Sequence, residues 1–181
     1  MDKSKLQMLD VRPITDPSFN KVARYIEPPP FTPGESKFYP AYFGFNIGSG
    51  ADVDISWLYV APQPYQPKRG FDRHLYTEEL FIAIEGDFYF PAAPCRNPDD
   101  AEDEPRPEDF GLWRINQGDM FALKPNVWHD GCWPVDPEQT VKFIMILSGH
   151  RASEGGGHVD YIRRSFPGED EYIMIDTSFL V

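Results

Sequence analysis

Only two cysteines, Cys95 and Cys132, stand in the 181 residues. At most one disulfide can form, so a disulfide scaffold is excluded and a reducing compartment fits. Positive charge is also scarce: 17 Lys and Arg face 29 Asp and Glu, a formal net charge of −12. Nucleic acids and anionic membranes are bound through cationic contacts, so neither is an expected partner. A small anionic substrate stays compatible, because a pocket can be locally basic on an acidic protein. No apolar run approaches membrane-spanning length, and the opening MDKSKLQMLDV lacks a signal-type apolar core. A cytoplasmic protein is expected. Room for long helices is missing too, since 19 prolines and 14 glycines interrupt the chain every few residues.

Between these breaks stand short runs of aromatic and β-branched residues. They are LQMLDVRPI, KFYPAYFGFNI, DVDISWLYV, ELFIAIEGDFYF, FGLWRINQGDMFALKP, TVKFIMILSG and EYIMIDTSFLV. Short strands with turns at regular spacing predict an all-β sandwich or barrel in a single domain over residues 1–181. KFYPAYFGFNI carries a proline and reads as an edge strand. One helix is expected, over Asp16–Ile26 (DPSFNKVARYI), with Asp16 or Ser18 as its cap. Pro91–Asp109 holds five prolines and seven acidic residues. It reads as an exposed loop that adds little to the core. No internal repeat is found. The Gly155–Gly157 triplet has no Gly-Lys-Ser/Thr sequel and reads as a turn rather than a phosphate loop.

Two stretches carry candidate chemistry. In KRGFDRHLYTEELFIAIEG, Asp72 and His74 are two apart and share a strand face. Glu79 opens the next strand, which closes at Gly86. Glu78 and Glu79 have opposite parity, and Glu79 is expected inward because its side continues through Phe81 and Ala83. In NQGDMFALKPNVWHDG, Gly118-Asp119 starts a strand, Pro125-Asn126 turns, and His129 follows. A lone histidine is more often structural than functional; three such residues in these settings point to a pocket.

The order glycine, Asp-x-His, glutamate, glycine, then glycine, proline, histidine resembles the two cupin motifs, the first of which has His-x-His. The resemblance implies a single cupin-type β-barrel (a double-stranded β-helix, or jelly roll) with a short N-terminal helix. It further implies one divalent ion held by Asp72, His74, Glu79 and His129, with Asp72 where the family's first histidine stands. Two imidazoles and two carboxylates suit Zn, Mn, Ni or Fe. VRPITDPSFNKVARYIE, DISWLYVAPQP, DRHLYTEELFI and NVWHDG also resemble, in order, segments of the ureidoglycolate lyase (ureidoglycolate hydrolase) family. Arg73-His74 and Trp128-His129 are the most specific matches.

That family splits a carbinolamide into glyoxylate and urea, which needs a base, an acid and a cation for the carboxylate. His74, Glu79 and His129 are the expected catalytic residues. Arg73, Tyr76, Lys124 and Trp128 are expected to bind substrate, with Arg151 a further cation, although Arg73 has the opposite strand parity to His74. The first reading is a ureidoglycolate lyase-like enzyme on a small hydroxy-acid or ureido metabolite. The alternatives are a metal-dependent cupin of sugar metabolism, of the isomerase type, and a metabolite-binding cupin without catalysis. A homodimer is expected, with KFYPAYFGF as the edge that needs covering.

Overall fold

The computed structural model describes residues 6–27, 53–148 and 161–178. Fourteen strands follow one another: β1 (Leu6–Leu9), β2 (Val11–Pro13), β3 (Ala23–Ile26), β4 (Val53–Val60), β5 (Gly70–His74), β6 (Glu79–Glu85), β7 (Phe88–Pro94), β8 (Gly111–Ile115), β9 (Met120–Leu123), β10 (Val127–His129), β11 (Trp133–Pro134), β12 (Val141–Ser148), β13 (Tyr161–Ser165) and β14 (Tyr172–Ile175). The all-β expectation holds. Among the described residues the pairing makes two facing sheets and a small third one rather than a closed ring. The larger sheet runs β13-β5-β10-β7-β8-β2, with β11 also on β7. The five-stranded sheet runs β3-β9-β6-β12-β4, and β1 pairs with β14. The expected edge strand KFYPAYFGFNI and the Gly155–Gly157 turn lie outside the described residues, as does Arg151. No helix among the described residues is long and apolar enough to cross a membrane.

Strand alternation sends one side chain of each pair into the space between the sheets. Phe81, Phe121 and Phe143 enter from the five-stranded sheet, Phe88, Phe90 and Trp113 from the larger one. Across the gap the rings meet edge-on or tilted, Phe81 to Phe90 at 5.3 Å and Phe88 to Phe143 at 5.4 Å, while Phe81 and Phe121 stack within their sheet at 4.9 Å. Behind the larger sheet lies a second core. There Phe71, Tyr89, Leu112 and Trp128 pack under Leu9, Ile173 and Ile175 of the β1–β14 pair and under Phe110. The larger sheet is thus apolar on both faces.

The helix expected over Asp16–Ile26 does not form. Only Pro17–Lys21 makes a 3-10 turn, capped by the Asp16 side chain, which accepts from the Ser18 amide at 2.8 Å. After Val22, Ala23–Ile26 are strand β3, pairing from Ala23 with Leu123 to Ile26 with Met120. Tertiary pairing overrode a weak helical preference here, since Val22, Tyr25 and Ile26 are better strand formers than helix formers. The turn exists to seat Phe19, buried against Trp113 at 5.3 Å and Phe121 at 5.5 Å.

The Pro91–Asp109 segment also departs from expectation. Its first four residues continue β7, and Ala92 and Ala93 are fully buried. A proline in a central strand forfeits a ladder hydrogen bond, and burial of the flanking alanines on both faces outweighs that loss. From Cys95 onward the segment is a loop, but a tethered one. Arg96 binds Glu108 and Asp109, Arg164 reaches the Ala101 carbonyl, and Pro105 and Phe110 are buried. Most of its acidic side chains face water, Asp103 and Asp109 excepted, while its backbone is fastened to the sheet, so it does contribute to the core.

The Gly86 and Gly118 turns frame the site strands. Gly86 has φ 76° and Gly118 φ 91°, the left-handed region where a Cβ costs about 1–2 kcal/mol. At Gly118 nothing lies within 4 Å of a Cβ, so Gly118→Ala should cost only that conformational term. At Gly86 the same Cβ would meet the Thr140 carbonyl at 3.1 Å and Val141 Cγ2 at 3.3 Å. Urea unfolding of the two alanine variants should therefore show the larger loss for Gly86; equal losses would show that the contact relaxes freely.

Candidate metal centre

Three strands from two sheets converge on one point. In β5 the alternation puts Phe71 and Arg73 behind the sheet and Asp72 and His74 on the inner face. In β10, Trp128 goes behind while Val127 and His129 go inward. From the opposite sheet, β6 begins with Glu79, which faces inward along the side of Phe81 and Ala83. Glu79 thus meets the two histidines across the interior. Glu78 turns the other way and lies 3.5 Å from Arg24.

The distances are those of a ligand set. His74 Nε2 is 3.1 Å from Glu79 Oε1, and His129 Nε2 is 2.7 Å from Glu79 Oε2. One ligand atom from each of the three lies within 4.8 Å of the others. The imidazole rings are 6.1 Å apart at 27°, and Phe90 stacks against His129 at 6.3 Å. Glu79 and His129 are buried, and His74 is nearly so, its side chain 12% exposed.

The protonation pattern follows from the neighbours. His129 Nδ1 lies 2.9 Å from the Val127 carbonyl, an acceptor, so Nδ1 carries the proton. In the neutral ring, Nε2 then turns a lone pair toward Glu79, as a metal-binding imidazole does. Nε2 and Oε2 are 2.7 Å apart, so a protonated His129 donates to Glu79 and a neutral one offers its lone pair to a cation. Burial opposes ionisation of Glu79, but the two imidazoles outweigh it and hold its carboxyl below the usual carboxylate range. Burial likewise opposes a charged His129, and the Glu79 carboxylate reverses that and raises its pKa. A buried carboxylate set between two imidazoles is an N,N,O donor set, and such donors suit a divalent transition metal.

Other expected residues are placed elsewhere. Asp72 shares the inner face and pairs in register with His129, but its carboxylate turns to Arg163, 2.7 and 2.9 Å from Nη1. It therefore stands outside the cluster expected to include it. Arg73 is fully buried on the opposite face of β5, as strand parity requires, and cannot reach a substrate in this site. Its guanidinium lies 4.8 Å over the ring of Trp128, which is itself buried behind the sheet rather than walling the pocket. Lys124 binds the Asn20 carbonyl at the surface. Tyr76 is 60% exposed, in the connection between β5 and β6. Arg163 was not expected at all. The alternation of YIRRS on β13 is its only signal in the sequence, and its counter-ion Asp72 lies on the neighbouring strand.

Arg73 organises the acidic loop instead. It donates to Cys95 Sγ at 2.6 Å, to Asn126 Oδ1 at 3.2 Å and to the Asp100 carbonyl. Asn126 sits at φ 58°, a left-handed conformation that asparagine tolerates, and its amide also donates to the Leu75 carbonyl at 3.0 Å. Burial, reinforced by the Asp103 carboxylate 3.0 Å away, pushes the Cys95 thiol up to about 12. Burial pushes Cys132 up to about 12 as well. Neither thiol should react readily: at pH 8 their thiolate fraction lies on the order of 1000-fold below that of a free cysteine. A disulfide reagent that modified Cys95 as fast in buffer as in urea would contradict this.

No protein-family model and no curated protein matches this chain. Among solved structures it is similar to a dTDP sugar isomerase from Desulfovibrio desulfuricans G20, at 14% identity over 80% of this chain and 82% of that one, with a TM-score of 0.42. At that degree of likeness the chemistry has to be argued from this chain's own residues.

Proposed function

We propose that this chain is a metal-dependent cupin enzyme that acts on a small polar metabolite, in the manner of the sugar-isomerising cupins. One observation carries the reading: one ligand atom each from His74, Glu79 and His129, on strands of two facing sheets, lie within 4.8 Å of one another in the interior. His74, Glu79 and His129 would hold the ion. When bound, a divalent ion supplies Lewis acidity toward a carbonyl or hydroxyl oxygen. The remaining roles belong to side chains. His74 is the least buried of the three and would take or return a proton, and Glu79 orients both imidazoles. The aromatic wall of Phe81, Phe90 and Phe121 excludes water behind them.

A second reading has its own support. The two dipeptides that most resemble ureidoglycolate lyases, Arg73-His74 and Trp128-His129, form one unit across β5 and β10. Arg73 stacks on Trp128 behind the sheet, and the histidines sit together in front. A carboxylate between two imidazoles is also an acid–base set that works without a metal.

Protein purified without chelator should carry a stoichiometric divalent metal by elemental analysis, or take one up in dialysis against Zn2+, Mn2+, Ni2+ or Fe2+. Nucleotide sugars, free sugars and hydroxy acids are then screened for turnover. A chain that binds none of these ions loses the first reading. Release of urea from ureidoglycolate by the metal-free protein would establish the second. Metal uptake with no turnover would leave a binding protein.

A further inference from the structure

An exposed arginine ordinarily extends into water, but Arg163 is held against the sheet beside the histidine cluster. Ile162 and Phe71 pack behind the larger sheet, so alternation turns Arg163 of β13 and Asp72 of β5 to the inner face, the face of His74 and His129. Register sets Arg163, Asp72 and His129 in one row across β13, β5 and β10. Neighbouring strands lie about 4.8 Å apart, so the Arg163 and His129 backbones are about 10 Å from each other. Asp72 fixes the guanidinium: both its carboxylate oxygens accept from Nη1, at 2.7 and 2.9 Å. Asp130, next to His129, lies 3.8 Å from the same nitrogen. Gly70 on the same face leaves room, since a Cβ there would meet Nη2 at 3.2 Å. The Arg163 side chain is still 53% exposed, so the row runs from solvent at Arg163 to the buried His129.

We propose that Arg163 is a substrate-binding residue and that it sets the substrate class: a small hydroxylated metabolite carrying a carboxylate or a phosphate. The oxyanion meets the Arg163 guanidinium, and the hydroxyl end lies at His74, Glu79 and His129. The inference rests on the metal-centre reading above and disfavours neutral sugars. A guanidinium matches an oxyanion through its fork of N–H donors, and the exposed part of this one is open to a ligand. Local charge favours the same ligand. Arg163 offsets Asp72, Lys68 offsets Asp130 at 2.8 Å, and a divalent ion would outweigh Glu79. With an ion bound, this corner of a chain of net charge −12 is positive and attracts an anion. Size fits as well. Two strand spacings, less the reach of the two side chains, leave room for a few carbons. Arg73, expected to bind substrate, is fully buried behind the sheet; the cation on the inner face comes from β13 instead.

NMR titration of the Zn2+-loaded, 15N-labelled chain with glycerate, glycerol 3-phosphate and uncharged glycerol tests this. Wild type is expected to bind one of the two anions at least about tenfold more tightly than glycerol, and the preferred anion tells carboxylate from phosphate. Arg163→Leu should lose at least about tenfold on that anion and less than about twofold on glycerol, because a charge-assisted hydrogen bond is removed and nothing else. Its Zn2+ affinity, measured by chelator competition, should stay that of wild type, since Arg163 is no ligand. A wild type that prefers neither anion to glycerol overturns the proposal. So does an Arg163→Leu chain that keeps the affinity for the preferred anion, or one that loses glycerol equally. Either result with Zn2+ bound leaves the metal reading standing. A chain that takes up no Zn2+ fails that reading by itself, and the same titrations without metal then decide for or against Arg163.

Discussion

His129→Ala is expected to weaken divalent-metal binding by at least about 100-fold while the far-UV spectrum stays that of the folded chain. Groups that merely orient a ligand are worth about 10–100-fold in affinity, and His129 is a donor atom itself. Glu79→Gln should also weaken binding strongly, because the amide keeps the shape but removes the charge that both imidazoles face. Asp72→Asn is the discriminating control. Its carboxylate is taken up by Arg163, so metal affinity should change by no more than about tenfold. Competition against a chromophoric chelator measures all three. A loss at Asp72 equal to that at His129 would mean that Asp72 swings inward to complete a four-ligand set. Because a ligand that binds only the folded state stabilises it, the wild type should also gain about 2.7 kcal/mol at a metal concentration 100 times its dissociation constant. His129→Ala should lose that gain at the same concentration.

Arg73→Leu should cost about 2–5 kcal/mol of folding stability, because each buried acceptor left without its donor costs about 1–3 kcal/mol. Arg73 is 0% exposed and ties three separate pieces of chain together: Cys95 at the end of β7, Asn126 in the turn before β10, and Asp100 in the acidic loop. Leucine fills part of the volume but leaves Asn126 Oδ1 and the Asp100 carbonyl without this donor and strips the cation from the Trp128 face. Total stabilities of domains are 5–15 kcal/mol, so the variant loses a large fraction of the whole. Arg163→Leu, whose side chain is 53% exposed, should cost no more than about 1 kcal/mol. Urea titration followed by tryptophan fluorescence compares the two. Similar small losses would mean that the acidic loop is not pinned through Arg73. Limited proteolysis adds a local readout, since cleavage in residues 95–109 should rise in Arg73→Leu before global unfolding.

The sequence by itself determined the elements that short-range chemistry controls. Proline and glycine spacing dictated short strands, and the turns at Gly86 and Gly118 stand where positive φ demands glycine. Period-two alternation put Asp72 with His74 and placed Glu79 rather than Glu78 inward; the same parity set Arg73 apart from His74. These follow from a backbone whose side chains alternate faces whatever the strand's neighbours are.

What the neighbours supply, only the tertiary structure decided. Ala23–Ile26 is a strand because β9 lies beside it, and Pro91–Pro94 extends β7 because β8 and β10 flank it. Which strand faces which sheet brought Glu79 onto two histidines 50 and 5 residues away in sequence, and it gave Asp72 to Arg163, 91 residues on. Asp72, Arg73, Trp128 and Lys124 all matched a plausible role by residue type. Their roles were assigned by the side of a sheet on which each fell and by the partner it met there. Such partners are chosen by burial and pairing free energies between segments distant in the chain, and local sequence does not contain them.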